Sequence, residues 1–522
     1  MGQYPRFHRI MKIGTLDSGL SEILQCMTDH EQHINMQVAN VHEDYKLGAK
    51  NLYRYLILRS YDLRKYHETL SEIGVSSLRT AEGYVYSNLF KVVNNLRLIQ
   101  NKPFVSRSDI EIVGFKKSKK LLKKHANNLF HETEKKHFTE IMVTLPDEAA
   151  EDKEIIKTMA ISGMQIARIN LSHGNEEIWQ KMVNIIHEVR EETQLKLKIY
   201  MDLSGPKIRT STIKVKDSHG KTKSWIPVRQ GERILLTKQE TLGKASKYNK
   251  EKLQVKKAVV GVSLPEIIDQ AQIGDMVLFD DGMIRSTIVD KTLDTLELEI
   301  NDCYKPKLAS HKGINLPNTV LQLPALTDED HKNLPFVCKY ADIMGYSFVR
   351  TGDDVKALYK ALEENNNENL GIVFKIENKE AFENLPDILL EGMRRNKIGV
   401  MIARGDLAVE LGFQRISEVQ NEILWLCEAA HVPVIWATQV LENLAKTGIP
   451  TRAEISDAAQ SVQAECVMLN KGPHINEAIK ILKNILKRMG GHSYKKKNEL
   501  RALKVSDKYV ERLKENKEAL KT

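Results

Sequence analysis

Eight short apolar runs, alternating with helix-patterned stretches, restrict the fold more than any other feature of the chain. The runs are Ile141–Thr144, Gln165–Asn170, Leu197–Asp202, Ala341–Ser347, Gly371–Ile376, Ile398–Ala403, Val432–Trp436 and Glu465–Leu469. Between them fall amphipathic stretches such as Lys153–Ser162, Glu176–Glu192, Asp353–Glu363, Glu418–Ala430 and His474–Met489. Strand–helix–strand units are right-handed and build parallel sheets. Eight of them match a closed barrel. The fold class expected is therefore α/β, a (β/α)8 TIM barrel over residues 136–210 and 316–489.

The third gap breaks the rhythm. About 140 residues separate Asp202 from Ala341, too many for one helical crossover. Within it Trp225–Thr237, Met276–Asp280, Ile284–Val289 and Thr295–Ile300 read as strands, and Asp280-Asp281-Gly282 reads as a turn. A small all-β lid domain inserted at residues 211–315 is expected, placed to close over the strand ends.

Residues 1–135 read as a helical N-terminal domain. Ser21–Tyr45, Asn51–Tyr66, Tyr66–Ile73, Arg79–Gln100 and Ser106–Phe130 carry apolar residues at three- and four-residue spacing. They hold no chemical motif, and no partner for them is legible. Residues 490–522 read as a charged helical tail.

In parallel barrels the chemistry collects beyond the C-terminal ends of the strands. Here the fifth run ends in Lys375-Ile376-Glu377-Asn378, a helical segment follows over Lys379–Arg394, and the sixth run ends in Arg404-Gly405-Asp406. Two carboxylates from neighbouring strand ends suit a divalent cation, because magnesium takes one or two protein carboxylates and leaves the rest to water and phosphate. A lysine two residues from one carboxylate adds a point charge for the same anion. The other ends supply Arg168, Asn170, Ser172 and His173; Asp202, Lys207 and Arg209; Arg350; Thr438; and Lys471. Cations and a divalent metal facing a compact anion are what phosphoryl transfer requires. Other roles stay open for several of these. Arg350 also suits pairing with a helix carboxylate, His173 a packed loop, and Asn170, Ser172 and Thr438 helix caps. No GxxxxGK[ST] loop is present.

Composition narrows the class. The charge of +9 is concentrated in Lys116–Lys124 and from Lys495 onward, without interleaved aromatic residues, so a solvated helix face is expected rather than nucleic acid. No run of 18 apolar residues indicates a membrane span. Arg6 stands where an acylation signal at Gly2 needs Ser or Thr. Five scattered cysteines without a CxxC favour a reducing, cytoplasmic setting.

Taken together, Ala167–Gly174, Asp202–Arg209, Lys312–Pro317, Phe374–Asn378, Ala403–Asp406, Ala437–Gln439 and Pro450–Glu454 resemble the pyruvate kinase family, over roughly residues 139–488. The resemblance implies transfer of phosphate from phosphoenolpyruvate to ADP, giving pyruvate and ATP. It implies Glu377 and Asp406 as ligands of Mg2+ or Mn2+, and Lys375 and Arg168 on the phosphoryl group. The backbone at Gly405 and Asp406, with Thr438, would receive the substrate carboxylate, Thr438 lying near the proton relay. Arg209, Lys312, Asn170 and His173 would face the nucleotide. Many members bind K+ with a glutamate where Lys207 stands and a threonine where Leu203 stands. The ammonium of Lys207 is therefore expected to act as a built-in cation, so that K+ is not required. An assembly of identical chains through the barrel is also expected.

The chain departs from the family pattern in places. Thr144-Leu145-Pro146 lacks the glycine usual after the first strand. Phe374 stands where a small residue is common, and Asn470–His474 replaces the usual last loop. Little sequence follows the last barrel helix, so the family's usual C-terminal regulatory domain is not expected. Two other readings remain at this stage: an idle barrel that senses phosphoenolpyruvate or nucleotide, and an enzyme of carbon–carbon chemistry, against which the lid, Arg209 and Lys312 speak.

Overall fold

The computed structural model describes residues 4–106, 109–133, 139–216, 220–495 and 497–498. Eight parallel strands close into a barrel in chain order: β1 (Glu140–Thr144), β2 (Ile166–Asn170), β3 (Lys198–Asp202), β4 (Ile343–Tyr346), β5 (Gly371–Ile376), β6 (Ile398–Ala403), β7 (Val434–Ala437) and β8 (Cys466–Leu469). These are the eight runs, each within a few residues of its expected ends. Both faces of every strand are covered, which is why they read as unbroken apolar runs.

Alternate residues along each strand face inward. Low in the barrel these are Met142, Ile166, Tyr200, Ile343, Val373 and Met401, all buried. Two residues further along stand Thr144, Arg168, Asp202, Lys375 and their neighbours. The period of two thus stacks a charged layer on an apolar one.

Among the described residues six α-helices precede the barrel: α1 (Tyr4–Asp29), α2 (Glu31–Gln37), α3 (Glu43–Arg59), α4 (Arg64–Glu72), α5 (Val85–Ile99) and α6 (Phe115–Leu129). The apolar stripes of α1–α5 share one buried core with the barrel. The α3 helix lies on Ile416–Ala430, where Asn51 Nδ2 donates to the Ala429 carbonyl at 2.8 Å. The end of α6 drives Leu129 and Phe130 into the barrel's floor. Leu129 fits because the strand starts at Gly371 and Gly399 carry no side chain: a Cβ there would meet its methyl carbons at 2.8 and 2.6 Å.

Several helix limits differ from expectation. The stretch Ser21–Tyr45 is divided among α1, α2 and α3, and Ser106–Phe130 becomes helical only at Phe115, after Gly114. Lys379–Arg394 forms two helices, Lys379–Glu383 and Leu385–Gly392, because Pro386 opens a new first turn. At the tail, Ser493–Tyr494 pairs antiparallel with Lys497–Asn498 instead of continuing a helix, and 499–522 lies outside the described residues.

The insertion has its own core, including Ile234, Leu236, Phe279, Leu296 and Leu298. Its six-stranded sheet runs in the order Ala258–Gly261, Arg233–Thr237, Thr295–Cys303, Ile284–Lys291, Met276–Phe279, Ile314–Asn315. The expected strand Trp225–Thr237 is two strands, broken after Pro227. The turn at Asp280-Asp281-Gly282 has three positive φ angles, 52°, 58° and 79°.

Candidate active site

The charged layer is organised by a strand-end residue to which the sequence assigned no role, Asp202 at the end of β3. Arg168 and Asn170, at the end of β2, are registered against Tyr200 and Asp202, which brings the Arg168 guanidinium level with the Asp202 carboxylate. Its Nε donates to Asp202 Oδ2 at 2.6 Å, and its Nη1 donates to Thr144 Oγ1 at 2.7 Å. Lys375 approaches the other oxygen, with Nζ 3.6 Å from Asp202 Oδ1 and 3.1 Å from Glu377 Oε1. It also donates to Ser347 Oγ at 2.8 Å.

The energetics follow from burial. Desolvation works to raise the Asp202 pKa, but Arg168 and Lys375 outweigh it and hold the carboxyl below its ordinary value. Desolvation works to lower that of Lys375, but Asp202 and Glu377 outweigh it and the ammonium is held above its ordinary value. A guanidinium and an ammonium thus share one buried carboxylate, both close to the open end of the barrel.

Glu377 follows β5 and is buried. Its Oε2 accepts the Phe348 N–H at 2.8 Å; Phe348 is in the left-handed region at φ 57°, a conformation that turns its N–H toward the carboxylate. Burial raises the Glu377 pKa, Lys375 opposes this, and the charge of Asp406 adds to it. Asp406 accepts from Lys207 Nζ at 2.8 Å. From the lid, Asp281 joins the same field: burial and then Asp406 raise its carboxyl, with Lys207 opposing. The donor set is all oxygen, and the charge of Asp406 adds to the raised proton affinity of Glu377 and Asp281, a like-charge strain that a hard divalent cation relieves. Among the described residues no three His, Cys, Asp or Glu side chains converge as a complete ligand cage. Glu377 and Asp406 therefore suit an ion that keeps water or substrate oxygens in its remaining positions.

Thr438 does not cap the helix that follows it. Its Oγ1 accepts the Gly405 N–H at 2.8 Å, satisfying an orphan donor in the first turn of Arg404–Leu411. Thr438, Gln439 and Leu441 all have positive φ, from 48° to 64°. Arg404 holds this loop, with Nη2 donating to the Thr438 carbonyl at 2.6 Å and to Asp457 Oδ2 at 2.9 Å. Asn170 and Ser172 are not caps of the next helix either: Asn175 is, accepting from Ile178 N at 3.1 Å. Arg350 pairs with Asp354 at 3.3 Å and donates to the Leu321 and Leu323 carbonyls, so it is committed to structure.

Beside the charged layer lies a cavity of about 290 Å³ lined by Arg168, Asn170, His173, Trp179, Lys446 and Lys471. It brings Asn170 and His173 together with three cations, Arg168, Lys446 and Lys471. Desolvation, then the charges of Lys471 and Arg209, hold the His173 imidazole below its ordinary pKa. Arg209 and Lys312 stand at the base of the lid rather than in the cavity wall. Lys312 Nζ is 2.9 Å from Asp280 Oδ1, and Arg209 N donates to Ser263 Oγ at 2.9 Å.

Asp202, Ser347 and Arg404 stood at strand ends in the sequence but were given no role; Asp457 and Lys446 were not singled out. These two lie in helices distant in sequence and carry no such signal.

The family model described as pyruvate kinase, barrel domain, matches residues 136–474. The chain is 31% identical over 356 residues to a pyruvate kinase of Staphylococcus haemolyticus (strain JCSC1435), an alignment covering 66% of this chain and 56% of that protein. It is 33% identical over 358 residues to pyruvate kinase 1 of Trypanosoma brucei brucei, covering 67% of each. With a pyruvate kinase of Clostridium acetobutylicum the identity is 32% over 316 residues, covering 60% of this chain and 61% of the other. The alignments thus span between 56% and 67% of these relatives' lengths.

Proposed function

The chain belongs to the pyruvate kinase family, and from that premise we propose that it transfers the phosphoryl group of phosphoenolpyruvate to ADP with the help of Mg2+ or Mn2+. The observation that carries the reading is the pairing of Arg168 and Lys375 on the one buried carboxylate of Asp202. Phosphoryl transfer places little covalent demand on a protein; it needs charge neutralisation and alignment. Two fixed cations supply both without reorganising during the reaction.

In this reading Arg168 grips the phosphate of phosphoenolpyruvate and Lys375 follows the phosphoryl group toward ADP. Glu377 and Asp406 would hold the divalent cation, whose charge, when bound, neutralises the phosphate oxygens. The substrate carboxylate is received at the backbone of Gly405 and Asp406. Thr438, which accepts the Gly405 N–H, keeps its own hydroxyl proton to give to that carboxylate or to the proton relay that converts enolpyruvate to pyruvate. ADP occupies the cavity of Asn170 and His173, with Lys471 and Lys446 near its phosphates. Arg209 and Lys312 reach the nucleotide as the lid moves, Lys312 exchanging its bond to Asp280 for a phosphate oxygen. Lys207 supplies the monovalent charge, so K+ is not required. Self-association through the barrel and a cytoplasmic location belong to the same reading; sedimentation of the purified chain tests the first. Among the described residues no helix is long and apolar enough to cross a membrane.

The test is a coupled assay for pyruvate from phosphoenolpyruvate and ADP with Mg2+. Turnover that Lys375→Ala abolishes is expected. A chain that binds phosphoenolpyruvate but makes no pyruvate, with or without K+, would overturn the kinase reading in favour of a sensor.

A further inference from the structure

The buried phenol of Tyr200 is not used by the chemistry above, yet it lies directly beneath it. Tyr200 and Asp202 are two residues apart on β3, so both side chains point into the barrel. Both are fully enclosed. Tyr200 Oη and Asp202 Oδ1 are also two of the buried side-chain atoms left without a hydrogen-bond partner. The hydroxyl carries a proton to donate, and the carboxylate oxygen can only accept.

Gly345 explains how they meet. It is registered against Asp202 on the adjacent strand β4. A Cβ at Gly345 would stand 2.0 Å from Asp202 Oδ1 and 2.2 Å from Tyr200 Oη. Both oxygens therefore border the space of one missing methyl group. Any larger residue at 345 would close the passage by which the phenol reaches the charged layer. Lys375 Nζ stands 3.6 Å from Asp202 Oδ1, too far for a hydrogen bond. Burial, with the Asp202 charge second, pushes the Tyr200 phenol well above its ordinary pKa, so it keeps its proton. A buried hydroxyl without an acceptor and a buried carboxylate oxygen without a donor are each costly. A small rotation of either side chain joins them and removes both penalties.

We propose that Tyr200 is a positioning residue: its hydroxyl donates to Asp202 Oδ1 and so sets the carboxylate on which Arg168 and Lys375 are held. This rests on the phosphotransferase reading of the site. Tyr200 touches no substrate. It acts through Asp202, fixing where the two cations stand when the phosphate arrives.

The experiment compares the full-length chain with Tyr200→Phe, Asp202→Asn and the double variant. The ring is retained in Tyr200→Phe, so its melting temperature stays close to that of the unaltered chain. Its kcat is expected to fall about tenfold and its calorimetric affinity for phosphoenolpyruvate severalfold, while KM for ADP is unchanged. In the Asp202→Asn background the same substitution adds no further loss in affinity, because the acceptor it served has already been altered. Unchanged kcat and affinity in Tyr200→Phe, or losses that multiply in the double variant, overturn the proposal. Calorimetry needs no turnover. A chain that makes no pyruvate thus defeats the kinase reading alone, and the affinities of the four proteins still decide the role of Tyr200.

Discussion

The Lys207 ammonium lies 2.8 Å from the Asp406 carboxylate, so a residue expected to replace a monovalent cation is bound to one expected to hold a divalent one. The side chains are 24% and 20% exposed. A charge there is partly screened but still felt across the strand ends. Turnover is therefore expected to be equal, within about twofold, in Na+, K+ and tetramethylammonium buffers of the same ionic strength. Lys207→Met is expected to lose about tenfold, part of which K+ restores. A large stimulation of the unaltered chain by K+ alone would show that Lys207 does not act as the cation.

Thr438 serves Gly405 through one hydroxyl, and a methyl group in its place can accept nothing. Thr438→Val preserves shape and removes the acceptor of the Gly405 N–H at the mouth of the site. A drop in kcat of about a hundredfold is expected. Thr438→Ser keeps the hydroxyl and is expected to stay within about fivefold. Steady-state kinetics on both variants check this. Equal activity in Val and Ser would remove Thr438 from the chemistry.

The eight strands were legible because each is buried on both faces and ends in polar residues, a pattern local to a few positions. Lys375, Glu377 and Asp406 could be read for the same reason, since each directly follows an apolar run. The role of Asp202 was harder to see. A carboxylate after a strand is common, and this one matters because Arg168 comes level with it on one neighbouring strand and Gly345 clears space on the other. Pairings of that kind are set by register between distant segments. The helices before the barrel showed their stripes but not what covers them. An apolar stripe specifies burial and is silent about the partner, here Ile416–Ala430 and the barrel floor. The break at Asn384 was available in principle, because Pro386 suits a first helical turn better than an interior.

The floor of the barrel gives a test of stability separate from catalysis. Leu129 is 1% exposed and fills the space left by Gly371 and Gly399. Leu129→Ala is expected to cost about 2–4 kcal/mol in urea unfolding, with KM for phosphoenolpyruvate unchanged. Gly399→Ala places its Cβ 2.6 Å from a Leu129 methyl carbon and is destabilising by overpacking. Combining the two relieves that clash, so the double variant is expected to be more stable than the sum of the single losses predicts. Strict additivity would mean that Leu129 is not what excludes a side chain at 399.

The last prediction concerns pH and the seam between the helical layer and the barrel. His431 ends the helix Ile416–Ala430 with φ 56°. Its Nε2–H donates to the Gly83 carbonyl at 2.9 Å, while Nδ1 is buried without a partner. Protonating Nδ1 would bury a charge with no acceptor. Desolvation, followed by the nearby His125 and assisted by Lys497, depresses the imidazole from 6.5 to about 3. The folded pKa is below the unfolded one, so stability is fully present above about pH 6.5 and is lost as pH falls toward about 3. At pH 5 the unfolded chain is protonated and the folded chain is not, which costs about 2 kcal/mol. Asp202, also depressed, starts from 3.8, so its contribution is lost at lower pH, and the carboxyls that burial raises, Glu377, Glu410 and Asp281, are the same in both proteins compared. His125 is depressed as well, by burial, and remains in both proteins compared. His431→Asn suits the left-handed backbone, can still donate to Gly83 and does not titrate. Urea unfolding at pH 7.5 and pH 5 is expected to show a smaller acid loss in His431→Asn than in the unaltered chain, by about 2 kcal/mol. An identical loss in both proteins would mean that His431 is already protonated at pH 5 in the folded chain, or that the seam opens before the rest unfolds.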